Sequence, residues 1–181
     1  SERRVLAQQV ERMLNDEKSN RFVKDFGGQW LRLYDINDTT PDKKLYPEFD
    51  GLLNDSISKE TELFFAELIR ENLSASNLIA SDFTFANRRL AEHYRLPSVQ
   101  GQEMRKVSLP PSSVRGGILG QASILKLPSN GTFTSPVKRG AYVLTRLLGN
   151  APNPPPPNVG SIEPDTRGAT TIRETLNKHK D

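Results

Sequence analysis

The chain has no cysteine among its 181 residues. That removes disulfides, thiolate zinc sites, iron–sulfur clusters, cysteine nucleophiles and covalent c-type haem attachment within these residues. It has no run of 18 apolar residues, so it does not read as membrane-spanning. It starts at Ser1 without an apolar leader, and the expectation is that any targeting segment lay upstream. Histidine is scarce, with only His93 and His179. Charge of one sign is scarce as well: 25 basic side chains face 22 acidic ones, for a net +3. The basic clusters, such as Arg3-Arg4, Lys43-Lys44 and Arg88-Arg89, are short and interspersed with carboxylates. Such a pattern reads as solvated surface and speaks against nucleic acid as a partner.

Catalytic signatures are missing in the same way. There is no Gly-x-Ser-x-Gly elbow, no His-Glu-x-x-His pair, no Glu-x-x-His pair and no phosphate loop. Arg115-Gly-Gly lacks dinucleotide-site spacing. No catalytic residue and no metal ligand is assigned.

What is present is helical periodicity. Hydrophobic content of 35% and a mean hydropathy of −0.59 are lean but sufficient for a core. Val5, Leu6, Val10, Met13 and Leu14 recur on one side of a first helix. Phe22, Phe26 and Trp30 stack four apart on a second, where Gly27-Gly28 marks either a close neighbour or a break. Pro47 could open a long helix carrying Phe49, Leu53, Ile57, Phe64 and Leu68, broken near Asn54–Ser56 and ending near Asn72. Lys59, Glu60, Glu62, Glu67, Arg70 and Glu71 then form its polar side, and Glu67 with Glu71 could share a proton or a cation. Ser81-Asp82 offers a cap for a helix turning Phe83, Ala86, Leu90 and Tyr94 inward. Arg115–Leu125 reads as a buried, closely packed helix. Ser135 as N-cap and Pro136 at the first position open another, where Gly140 would admit a neighbouring backbone. The run Pro154–Pro157 reads as a polyproline strap, and Thr171-Ile-Arg-Glu174 as the capping box of a C-terminal helix.

The expected fold is therefore mainly α: a compact multi-helix bundle of about eight helices in two packed sub-units, with a polyproline strap. The boundary falls in the proline- and serine-rich stretch Pro97–Ser113, giving an N-terminal unit 1–106 and a C-terminal unit 107–181.

One constellation suits an anion such as phosphate, sulfate or a carboxylate. Thr132, Thr134 and Ser135 lead into a helix whose first turn carries Lys138 and Arg139, and cations there oppose the helix dipole. The compensating charge is either an external ligand or an internal carboxylate such as Glu163 or Asp165. His93, at the edge of an apolar stripe, is either a surface histidine near a helix end or an axial ligand.

Several ordered stretches carry a resemblance. Phe26-Gly-Gly-Gln-Trp-Leu31, Glu60-Thr-Glu-Leu-Phe-Phe65 and the run Ser81–Tyr94 resemble one uncharacterised bacterial domain. Arg115–Ser123, Ser129–Gly140 and Leu148–Val159 resemble a second that habitually follows it. Both are typical of large exported proteins of planctomycetes and verrucomicrobia that also carry cytochrome-c-like modules. The stretch like Thr170–His179 is there followed by a Cys-x-x-Cys-His haem-attachment motif, before which this chain ends. The resemblance implies a fragment of an exported protein, periplasmic or at the cell surface. It would hold no cofactor itself, with haem c in the parent and the haem-bearing segments as its partners. His93, Arg115, Arg139 and Tyr142 are the candidates for lining that interface. The function implied is a scaffold or docking region beside a haem module. The alternatives are an enzyme domain binding a small anion or acidic glycan, and a protein-interaction module.

Overall fold

The computed structural model describes residues 2–97 and 99–154. Residues 1–151 form one compact unit and 152–181 a second. The proline run beyond Pro154 and the C-terminal helix expected from Thr171 lie outside the described residues.

Among the described residues six α-helices dominate, and one two-stranded sheet accompanies them. The mainly α expectation holds. Helix α1 (Glu2–Leu14) has its apolar residues at helical spacing, yet none of its residues is buried. In α2 (Ser19–Trp30) the Gly27-Gly28 pair does not break the helix. A Cβ on Gly28 would stand 2.5 Å from the ring of Tyr34, so the missing side chain is what lets that ring lie against the helix.

Helix α3 (Gly51–Arg70) runs without a break. It begins four residues after Pro47, because Asp50 caps it, accepting from the Leu53 amide at 2.7 Å. Its inner face carries Leu53, Ile57, Phe64 and Leu68, as the spacing requires. Glu60 and Glu67 were expected on the solvent side and are instead buried. Positions 53, 57, 60, 64 and 67 follow one another at three and four residues, so both carboxylates ride on the apolar stripe itself. Glu67 is held there by Lys106 Nζ at 2.8 Å and by Arg70, while Glu71 pairs with Arg70 at 3.0 Å. Arg70 thus bridges the two carboxylates, and Glu67 has Lys106 besides.

The single helix expected after Ser81 is two elements. Strand β1 (Phe83–Ala86) precedes helix α4 (Arg88–Tyr94), which is capped by Asn87 accepting from the Leu90 amide at 2.9 Å. Phe83, Ala86, Leu90 and Tyr94 are all buried, but the Phe-Thr-Phe alternation also fits a strand. Strand β2 (Arg105–Ser108) pairs with it antiparallel, Phe83 opposite Ser108 and Ala86 opposite Arg105. That pairing draws the 83–86 backbone out of the helix.

Arg115–Leu125 is not one helix either. It holds a 3-10 turn at Ile118–Gly120 and the short helix α5 (Ala122–Lys126). Gly117 has φ +72°, and a Cβ there would meet the Leu78 carbonyl oxygen at 2.5 Å. The small residues serve a close approach of backbone, which is incompatible with a continuous helix at that point. Helix α6 (Pro136–Tyr142) opens as expected, with Ser135 as its cap, and continues as a π-helical turn, Val143–Leu147. Among the described residues no neighbouring backbone approaches Gly140: none of their atoms lies within 4 Å of a Cβ placed on it.

Two apolar clusters form the core. One joins Ile36, Leu53, Ile57, Leu90, Tyr94 and Val99. The other joins Leu31, Phe64, Leu68, Phe83, Ile118 and Ile124. Helix α3 contributes to both.

Candidate functional site

Between α3, α4 and the segment around α5 lies a cavity of about 230 Å³. Its walls are largely apolar, with Phe49, Leu53, Ile57, Leu125 and Phe133. Into the same space come His93, Arg115, Lys126 and one carboxylate, Glu48. Thr134 lies at its edge. Three of the residues singled out in the sequence, His93, Arg115 and Thr134, are therefore brought together.

Arg115 is held on three sides. Its guanidinium lies over the Tyr94 ring at 3.9 Å from the centroid, and its Nη1 donates to the Gly120 carbonyl at 2.9 Å. Its backbone amide donates to Ser113 Oγ at 3.1 Å. Among the described residues it makes no ion pair. His93 is exposed overall, and the partial burial of its ring against the cavity pushes its pKa down, aided by Arg115 and Arg89 and opposed by Glu48. Lys126 donates to the carbonyls of Ile36 and Thr39, at 2.9 Å to the latter, and burial lowers its pKa against the pull of Asp38.

The other sequence candidates fall elsewhere. Tyr142 and Lys138 line a second cavity of about 330 Å³, with Arg32, Asp35, Asp38 and Arg146. The Tyr142 hydroxyl donates to the Leu31 carbonyl at 2.7 Å, and burial raises its pKa. Arg139 lines neither cavity; its Nη2 donates to Thr134 Oγ1 at 2.6 Å. The polar groups of the 130–135 turn are largely spent on one another. Asn130 Oδ1 accepts from the amides of Thr132 and Phe133 and from the Thr132 hydroxyl, and Ser135 Oγ accepts from the Lys138 amide. The Thr132 carbonyl takes the Tyr46 hydroxyl at 2.9 Å.

Beside the first cavity lies a buried polar network that periodicity alone had missed. Glu60 is 1% exposed. Its Oε1 accepts from the Thr84 hydroxyl and its Oε2 from the Tyr94 hydroxyl, each at 2.5 Å. The Tyr94 oxygen in turn accepts from the Ala122 amide at 2.7 Å. Burial pushes the Glu60 carboxyl up to about 7, against the two hydrogen bonds and Arg115, which lower it. Burial also drives the Tyr94 phenol well above its ordinary value, with the Glu60 charge adding to the effect. Next to this pair, Thr61 donates to Gln121 Oε1 at 2.7 Å and meets Ser123 Oγ at 2.6 Å, leaving the buried Gln121 Nε2 without a partner among the described residues. A signal for Glu60 did exist, in its place on the three-and-four spacing of α3.

Among the described residues no group of three or more His, Cys, Asp or Glu could hold a metal ion, and no helix is long and apolar enough to cross a membrane. No curated protein and no solved structure matches the chain. Residues 115–181 match the family described as PSCyt3, protein of unknown function (DUF1588). Residues 1–96, more than half of the chain, match a second family, and the long ordered stretches of α2, α3 and α4 fall within them. The chain therefore belongs to the family described as PSD4, protein of unknown function (DUF1592).

Proposed function

We propose that this chain is a non-catalytic docking scaffold that seats a cytochrome-c-like module of the same exported protein. The observation that carries the reading is the exposed apolar surface at the N-terminal end. Val5, Leu6, Val10, Met13 and Leu14 of α1 are between 41% and 66% exposed, and Phe22 and Phe26 of α2 are 52% and 43% exposed. Apolar side chains left exposed along a helix in this way mark an interaction surface rather than ordinary solvated exterior. The family name PSCyt3 points to a cytochrome context, in keeping with the resemblance that implies a haem-attachment motif downstream. On this reading His93 and Arg115 form the haem-side edge of the scaffold.

The test is an absorption spectrum of the parent polypeptide extended past Asp181, oxidised and then reduced. A c-type haem spectrum that shifts on His93→Ala supports a haem edge at this cavity. A haem spectrum indifferent to that substitution keeps the scaffold and removes His93 from it. A parent without haem overturns the reading.

A further inference from the structure

We propose that the cavity between α3, α4 and α5 is a binding site for a small organic monoanion: a carboxylate on an apolar ring, its charge against Arg115 and its ring among Phe49, Ile57 and Phe133. Three features of the site carry this.

The first is size and lining. A cavity of roughly 150 Å³ suffices for benzene. At about 230 Å³, and walled mostly by carbon, this one has room for a fused bicyclic ring bearing one polar head. Phe133 is 60% exposed at its mouth, an aromatic side chain whose face is left open to whatever enters.

The second is charge. The lining carries two permanent cations, Arg115 and Lys126, against the single carboxylate of Glu48. His93 is exposed and its pKa is held below the ordinary value, so near neutral pH the balance is one positive charge. One negative charge neutralises it. A second would be left unpaired in a largely apolar space, where an unpaired charge is costly.

The third is preorganisation. The Arg115 guanidinium is stacked on Tyr94 and tied to the Gly120 carbonyl through Nη1 alone, and it pairs with no carboxylate among the described residues. A planar fork fixed in this way meets a carboxylate with little further loss of side-chain freedom. Lys126, by contrast, spends its ammonium on the Ile36 and Thr39 carbonyls, so it contributes field rather than a contact.

The proposal shares its cavity with the docking reading but does not need haem. Its test uses the 181-residue chain, which has no cysteine to carry a c-type haem. The probe is 2-naphthoate, followed by its own fluorescence and by calorimetry, with the neutral isostere naphthalene-2-carboxamide as control. The expected result is saturable one-site binding, with the amide about tenfold weaker, the ratio that one charge-assisted contact supplies. Arg115→Gln should abolish the preference for the acid over the amide. Should that variant fail to fold, Phe133→Ala, at an exposed rim position, should weaken both ligands about threefold and leave the preference intact. Absence of saturable binding, or equal affinity for acid and amide in the unaltered chain, overturns the proposal. Neither result touches the haem spectrum of the extended parent, so the two readings fail separately.

Discussion

Tyr94 donates to Glu60 Oε2 at 2.5 Å, and both side chains are buried, one from α4 and the other from α3. The pair joins two helices through a group that titrates. Because Tyr94 also carries the Arg115 guanidinium on its ring, it ties the polar interior to the wall of the cavity.

The Glu60 carboxyl makes stability depend on pH in a defined direction. Its folded pKa, about 7, lies above its value in an unfolded chain, so between those two values the folded state binds the extra proton. Stability from this group is complete below the unfolded value, near pH 4, and is lost as pH rises through about 7. The loss is of order 3 kcal/mol, spread over that window. Glu60→Gln, which mimics the protonated form, should match the parent chain at pH 5 and exceed it at pH 8. Urea titrations at the two pH values check this. A Gln variant equally destabilised at both would show that the carboxyl is charged and satisfied throughout.

Removing the Tyr94 hydroxyl takes the partner from two groups at once, the buried Glu60 Oε2 and the part-buried Ala122 amide. Tyr94→Phe should therefore cost about 2–4 kcal/mol, more than a single hydrogen bond is worth, because each orphan pays its own desolvation. Combined with Glu60→Gln the two effects should be non-additive, since the residues share a partner. Strict additivity in the double-mutant cycle would mean that the short contact contributes nothing as a pair.

Two glycines make opposite predictions. Gly117→Ala forces a side chain at φ +72° onto the Leu78 and Ile79 backbone, within 2.7 Å of both, and should cost on the order of 2–4 kcal/mol. Gly140 lies within α6 with open space around it among the described residues, so Gly140→Ala should stabilise by up to about 1 kcal/mol. Denaturation midpoints of the two variants decide it. A destabilised Gly140→Ala would mean that another surface approaches α6 there.

These pairs also show where the sequence was readable. The Ser135 cap and the Pro136 start of α6 were legible because the signal is local: side chain, amide and fixed φ lie within four residues. The β1–α4 segment was not, because 83, 86, 90 and 94 satisfy helical spacing whether or not the first turn is extended. Only the partner strand, more than twenty residues on, decides the matter. Glu60 was misplaced by its residue type, although its position on the stripe was correct. Its burial depends on hydroxyls from Thr84 and Tyr94, which no local pattern announces. The cavity was legible only in its parts. His93, Arg115 and Thr134 were each noted, but their meeting rests on long-range packing across α3; Phe49 reads only as part of a helix stripe, and Lys126 carried no signal at all.

The cavity's charge predicts how ligand affinity follows pH. His93 is neutral near pH 7, since burial, Arg115 and Arg89 hold its pKa below the ordinary 6.5, with only Glu48 working against them. As pH falls through that lowered value the imidazole gains a charge, and the lining becomes more positive by one. A naphthoate carboxylate stays ionised down to about pH 5, so its affinity should rise several-fold between pH 7.5 and 5.5. Glu60 acts in the same direction at the upper end. Protonating it near pH 7 removes a negative charge that Arg115 otherwise feels, which frees the guanidinium's field for the ligand. Calorimetric titrations of 2-naphthoate across this range separate the two contributions. His93→Asn should flatten the rise below about pH 6.5, while Glu60→Gln should flatten it between about pH 6.5 and 7.5. An affinity that falls with decreasing pH would require a carboxylate, Glu48 first among them, to be the group that binds the ligand.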